Sequence, residues 1–125
     1  MLKSIRLNSM RHRKTTKTLD RNTAARRALL RGLAESMILH EKIRTTKAKA
    51  KAVRALVERS IHMSKRGDLT ARRHLLSTLY SETAVKKALE VIGPRYKNRE
   101  GGYTRMVSVG PRQGDGAEMV QMELV

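Results

Sequence analysis

A chain of 125 residues with 28 Lys/Arg against 11 Asp/Glu carries a formal net charge of +17, which calls for a partner dense in negative charge. Its 39% hydrophobic residues allow one modest core, but Phe, Trp and Cys are absent, so aliphatic side chains and Met must fill it, without a disulfide or a thiolate zinc site. No apolar run approaches the roughly 18 residues of a membrane span, and Met1–Ser9 lacks the apolar centre of a secretory signal, so the chain reads as soluble and not exported.

Residues 1–31 hold Lys3, Arg6, Arg11, Arg13, Lys14, Lys17, Arg21, Arg26, Arg27 and Arg31 against the single acid Asp20, contributing +9 of the total. Like charge at this density repels itself until a polyanion neutralises it, and nucleic-acid phosphate is the usual answer. Residues 1–19 are therefore read as a basic, extended N-terminal arm, and residues 20–125 as a single globular domain. The acid-free segment MLKSIRLNS has the composition of a short organellar targeting sequence, or else simply precedes a second possible start at Met10.

Asn22, or less favourably Asp20, supplies the N-cap of a first helix in which Leu29, Leu33 and Met37, with Leu30, Ala34 and Ile38, recur at spacings of four as one apolar stripe. Arg26, Arg27 and Arg31 lie mostly off that stripe and continue the arm's basic surface. The stretch KIRTT (Lys42 to Thr46) alternates and ends β-branched, as a brief strand does before Thr45 or Thr46 caps the next helix. From Lys47 to Arg66, Val53, Leu56, Val57 and Ile61 share one face, with Gly67 as the stop; the KAKAK start is a solvated or phosphate-facing end. Asp68 caps a third helix with Ala71, Leu75, Leu76 and Leu79 inward. Ser81 caps a fourth with Val85, Ala88, Leu89 and Ile92 inward, and Gly93–Pro94 should end it.

The last third changes period: Tyr103–Val109 alternates, GPRQGDGA supplies turn chemistry, and Glu118–Val125 alternates again with Val120, Met122 and Leu124 on one face. A lone hairpin is marginal in water, so it needs helices beneath it and the KIRTT strand beside it. The fold expected is α+β in two layers, about four helices on a small sheet made of that short internal strand and the C-terminal hairpin.

The Gly110, Gly114 and Gly116 loop lacks the Gly-Lys-Ser/Thr ending of a P-loop and lies between strands, so it reads as a hairpin turn displaying Arg112. His12, His40, His62 and His74 stand 28, 22 and 12 residues apart with no Glu or Cys at ligand spacing, so no metal is expected. No GxSxG element or pair of carboxylates in an apolar setting offers catalysis, and no cofactor or small-molecule substrate is implied. A second basic segment, RYKNREGGYTR, interleaves Arg95, Lys97, Arg99 and Arg105 with Tyr96 and Tyr103 around Gly101–Gly102. That composition suits unpaired RNA, whose bases stack on rings and guanidinium planes; the plainer reading is a solvated connector with Tyr96 plugging the core edge.

MRHRK (Met10 to Lys14), LDRNTAARRALLRGL, EKIRTTKAKAKAVR, KRGDLTARR (Lys65 to Arg73), GPRYKNREGGYTR, GPRQGDGAEM and MELV together resemble the bacterial-type large ribosomal subunit protein 17 family. The resemblance runs from Met10 to the last residue; Met1–Ser9 departs, because the family usually begins at the MRHRK element. It implies a structural, non-enzymatic constituent of the large subunit that binds its main rRNA on the solvent side near the rim of the polypeptide exit tunnel, beside neighbouring ribosomal proteins. The ribosome implied is that of a bacterial cytoplasm, or alternatively of a mitochondrion or plastid. The candidate rRNA contacts are Arg6, Arg11, His12, Arg13, Lys14 and Lys17 in the arm and Arg21, Arg26, Arg27 and Arg31 at the first helix. Arg72 and Arg73 join them from the third helix, with Arg95, Tyr96, Lys97, Arg99, Tyr103 and Arg105 in the second segment and Arg112 in the turn.

Composition alone also permits an architectural DNA-binding protein. Against it stand the lack of a recognition-helix module and a Tyr/Arg/Gly-Gly segment better matched to unstacked RNA than to a duplex groove. An RNA-modifying enzyme fails for want of a nucleophile, a base or a cofactor loop.

Overall fold

The computed structural model describes residues 17–125. All but the last three residues of the expected extended arm, and with them the contacts assigned to Arg6, Arg11, His12, Arg13 and Lys14, lie outside the described residues.

Four capping side chains set the starts of the helices. Asn22 Oδ1 accepts the Ala25 N–H at 2.8 Å to open α1 (Thr23–His40), and Thr46 Oγ1 accepts from Lys49 at 3.5 Å to open α2 (Lys47–Ser64). Asp68 Oδ1 takes the Ala71 N–H at 2.7 Å for α3 (Leu69–Leu79), and Ser81 Oγ that of Ala84 at 3.5 Å for α4 (Glu82–Lys87). Each satisfies a first-turn amide that the helix itself cannot pair. Between α1 and α2 the chain runs through β1 (Lys42–Thr46), and β2 (Thr104–Pro111) and β3 (Glu118–Leu124) form the hairpin. The sheet is antiparallel in the order β1-β3-β2, so the internal strand does lie beside the hairpin.

Pairing places Ile43, Met122 and Met106 in one row across the three strands, and Val120 beside Thr45 in the next. This face closes on the helices: Met122 is fully buried with Ala34, Met37 and Ile38 of α1, Val53, Val57 and Ile61 of α2, and Leu75 and Leu79 of α3. Helix α2 is the hub, touching α1, α3 and all three strands. The α+β, two-layer architecture of four helices on a three-stranded sheet is as the sequence predicts. Leu29 alone drops out of the α1 stripe, half-buried but outside the core cluster.

One expectation needs correcting. Gly93–Pro94 does not end the fourth helix; α4 widens into a π-helical turn (Ala88–Ile92), in which Gly93 N–H donates to the Ala88 carbonyl, and continues through a last short turn, α5 (Gly93–Arg95). The physical reason lies in packing against α2. A Cβ on Gly93 would stand 2.5 Å from the Ser64 carbonyl oxygen, so the two backbones meet at a distance only glycine permits, and Gly93 itself holds an ordinary right-handed conformation. Gly93→Ala should therefore destabilise the fold by about 1 to 3 kcal/mol, the overpacking range, because the atom it strikes is main chain and cannot swing away. Urea denaturation checks this; a variant as stable as the parent would mean that the π-turn absorbs the methyl group.

Candidate nucleic-acid interface

The carboxylates are distributed unevenly over this body. Glu41, in the left-handed conformation that caps α1 (φ 61), receives both Arg95 guanidinium nitrogens at 2.7 and 3.0 Å and the Lys87 ammonium at 3.2 Å. Lys87 also donates to the Leu39 carbonyl at 2.7 Å, so a cation closes the negative end of α1. On the outer face of the sheet Glu123 lies between Arg105 at 2.6 Å and Lys42 at 3.8 Å, its register partners on either side. Asp115 accepts from Arg112 Nε at 3.0 Å within the hairpin turn, and Glu118 pairs with Lys47 at 3.4 Å. Glu58 turns inward from α2: it accepts the Tyr103 and Thr104 amides at 3.2 and 3.1 Å and the Thr104 hydroxyl at 2.8 Å.

These bonds change the reading of the second basic segment. Tyr96 and Tyr103 are 4% and 1% exposed, their rings edge to face with centroids 5.3 Å apart, so neither offers a stacking surface to a base. The Tyr96 hydroxyl donates to the Val125 carbonyl at 2.6 Å. That of Tyr103 receives Lys65 Nζ at 3.0 Å and donates to the Arg99 carbonyl at 3.0 Å. The expected base-stacking role of both tyrosines is thereby corrected: in a core without Phe or Trp they are the bulky side chains that seal the sheet against α2 and α5. Tyr103 also precedes β2 and does not share the outer face of Arg105, Val107 and Val109. Of the segment's cations, Arg95 and Arg105 serve ion pairs, whereas Lys97 and Arg99 face solvent. Arg112 is exposed but paired, and Arg72 and Arg73 sit on α3, outside both of the grooves described below.

A basic track that spacing alone did not reveal runs along α2. Near its start a groove of about 530 Å³ brings Lys17 to Lys47, Ala48 and Lys51, with Glu118, the partner of Lys47, on its sheet side. One turn further a second, of about 290 Å³, brings Arg27 and Arg31 of α1 to Ala52, Ala55, Leu56 and Arg59. Spacings of three and four put Ala48, Lys51, Ala52, Ala55 and Arg59 on one helix face, a stripe about 17 Å long at 1.5 Å per residue. The alanines keep it low enough for a strand to approach, and the cations flank it. Among the described residues, no carboxylate lies within ion-pair distance of Arg26, Arg27, Arg31, Lys51, Arg54 or Arg59. Of the residues singled out in the sequence, Lys17 lines the first groove and Arg27 and Arg31 the second; Lys47 and Lys51 in the first and Arg59 in the second were not among them. The signal for these was present in KAKAK, read there without knowing which of its faces α1 would leave open.

Among the described residues no group of three or more His, Asp or Glu could hold a metal ion, and no helix is long and apolar enough to cross a membrane. Lys51 and the arginines of α1 and α2 thus stand without an acid at ion-pair distance among the described residues, whereas Glu41, Glu58, Asp115, Glu118 and Glu123 bond other parts of the fold, an arrangement that suits a polyanion-binding class of protein. The model of the family described as ribosomal protein L17 matches residues 29–125, and the chain belongs to that family of structural, non-enzymatic ribosomal proteins. Relatives named large ribosomal subunit protein bL17 include those of Desulfitobacterium hafniense and Clostridium acetobutylicum. Each is 52% identical over 107 residues, 86% of this chain and 96% or 94% of the relative. That of Clostridium botulinum is 51% identical over the same length, covering 95% of its own.

The Glu41 corner gives a pH prediction. The hydrogen bond from Arg95 holds the Glu41 carboxyl down from its ordinary 4.5 to about 2, with burial opposing and Lys87 assisting. A depressed folded-state pKa stabilises fully above the unfolded value and is lost as protons bind, so this contribution fades between pH 4.5 and about 2. With the side chain one-third exposed, Glu41→Gln should cost about 1 kcal/mol at neutral pH and flatten the loss of stability across that window. Urea melts of both proteins at several pH values test it; parallel curves would show that the corner contributes nothing.

Proposed function

We propose that this chain is an rRNA-binding constituent of the large ribosomal subunit whose contact surface is the α2 track together with the N-terminal arm. The carrying observation is the segregation of charge: Glu41, Glu118, Glu123 and Asp115 neutralise cations beside the sheet, while Arg27, Arg31, Lys51 and Arg59 meet no acid among the described residues. Phosphates of an RNA strand are the polyanion that such a track neutralises, each contact releasing a condensed counterion. Lys97 and Arg99, exposed on a connector whose Arg99 carbonyl accepts from Lys65, add a second patch of cations for phosphate. The relatives' names place those proteins in the large subunit, and the resemblance adds protein neighbours near the exit-tunnel rim. A ribosome of the bacterial cytoplasm is the setting we favour, with an organellar ribosome as the alternative.

In sucrose-gradient fractionation of a lysate the protein should comigrate with large subunits; recovery in the free-protein or DNA-bound fractions would refute the proposal. The division of labour between arm and body has its own test. The core cluster spans Ala34 to Met122, so residues 20–125 should fold without residues 1–19, giving an unchanged circular dichroism per helix. The deleted arm carries six Lys/Arg, and its loss should weaken rRNA binding and lower the salt slope by up to about 4 to 5 units. An unfolded truncation would make the arm a core element instead.

A further inference from the structure

With Tyr96 and Tyr103 inside the core, Tyr80 is the one tyrosine ring left to a ligand, 66% exposed at the C-terminal end of α3. It occupies the left-handed position that ends the helix, at φ 62, with its N–H bonded to the Leu76 carbonyl at 3.2 Å. Glycine or asparagine is the ordinary occupant there, and a bulky residue is an outlier. The guanidinium of Arg31 lies 4.1 Å from the ring centroid, so one ring face is covered by a cation and the ring remains mostly open to solvent.

Arg31 also belongs to the second groove, where it joins Arg27 and Arg59 around the half-buried Leu30 and Leu56, with Thr78, two residues before Tyr80, completing the wall. No carboxylate lines it. At about 290 Å³ it is at or below the lower end of small-molecule sites; its lining divides into an apolar wall and three guanidinium groups, and Arg31 links it to the aromatic plane of Tyr80 beside it. An acidic peptide would use the arginines and leave the ring idle; an unpaired nucleotide uses all three.

We infer that Tyr80, Arg31 and the arginine-rimmed groove between α1 and α2 form a site for one unpaired nucleotide of rRNA. Its base stacks on the open face of Tyr80, and its phosphate meets Arg27 and Arg59. The inference rests on the proposed rRNA-binding function and specifies where that RNA must be single-stranded.

The test uses the full chain and purified large-subunit rRNA, with the variants Tyr80→Phe and Tyr80→Gly. Glycine suits the left-handed position, so Tyr80→Gly should melt no lower than the parent and any loss of binding is a loss of contact. Tyr80→Phe should bind within about twofold of the parent, and Tyr80→Gly about five- to a hundredfold more weakly, the range of one base stack, with the salt slope unchanged because no phosphate contact is removed. Zero-length ultraviolet crosslinking should place a nucleotide on the peptide containing Tyr80. Full affinity for Tyr80→Gly, with the crosslink absent, overturns the site. So does a Tyr80 crosslink to a ribosomal protein in assembled subunits, which would make the groove a protein-docking surface. If the parent chain binds no rRNA, the proposed function and this site fall together, whereas failure of the site alone leaves the parent's binding intact.

Discussion

Self-repulsion of a +17 chain with a thin aliphatic core is the constraint on which the rest of the structure depends, and the protein meets it by placing four of its eleven acids, Glu41, Glu58, Glu118 and Glu123, where segments must be joined. Glu58 ties the start of β2 to α2, Glu41 ties α5 and α4 to the α1 cap, and Glu123 ties the edge strands to the centre of the sheet. Each bridges parts of the chain that neither local propensity nor a small core would hold together. The cations opposite these acids are committed to the fold; those on the face shared by α1 and α2 keep their field for an external partner. Structure and binding thus draw on one allocation of charge.

Helix α2 links the two. Its apolar face, Val53, Val57 and Ile61, is the floor on which α1, α3 and the sheet assemble, and its alanine-lined opposite stripe carries the basic track. A side chain at Gly93 would force α5 away from the end of this helix and with it the connector that positions Lys97 and Arg99. Stability of the body and placement of the contact surface are therefore coupled through the same 18 residues.

Helix caps at Asn22, Thr46, Asp68 and Ser81, the KIRTT strand and the inward faces of all four helices were legible because each depends on local chemistry or on a period that the fold respects. The π-turn was not, since it arises from the approach of Gly93 to Ser64, 29 positions earlier. Nor were the ion pairs of Glu41 with Arg95 and Glu123 with Arg105, which join distant positions. The tyrosines misled for a reason that composition contains. In a chain with so few rings, Tyr96 and Tyr103 are needed to fill volume, and basic neighbours in sequence do not keep them outside. Tyr80 could have been found: it follows Leu79, the last inward residue of α3, and one further residue turns about 100° away from the core.

Charge segregation is tested most directly by the salt dependence of binding to purified large-subunit rRNA for two triple variants of the full chain. One replaces Arg27, Lys51 and Arg59 with alanine, and the other replaces Arg95, Arg105 and Arg112. The helix-face triple should lower the slope of log affinity against log salt by about 2 to 3 units, and the sheet-side triple should lose stability while its slope stays within about half a unit of the parent's. A slope reduced by the sheet-side triple and untouched by the helix-face triple would contradict the account, placing the RNA on the face where the acids are.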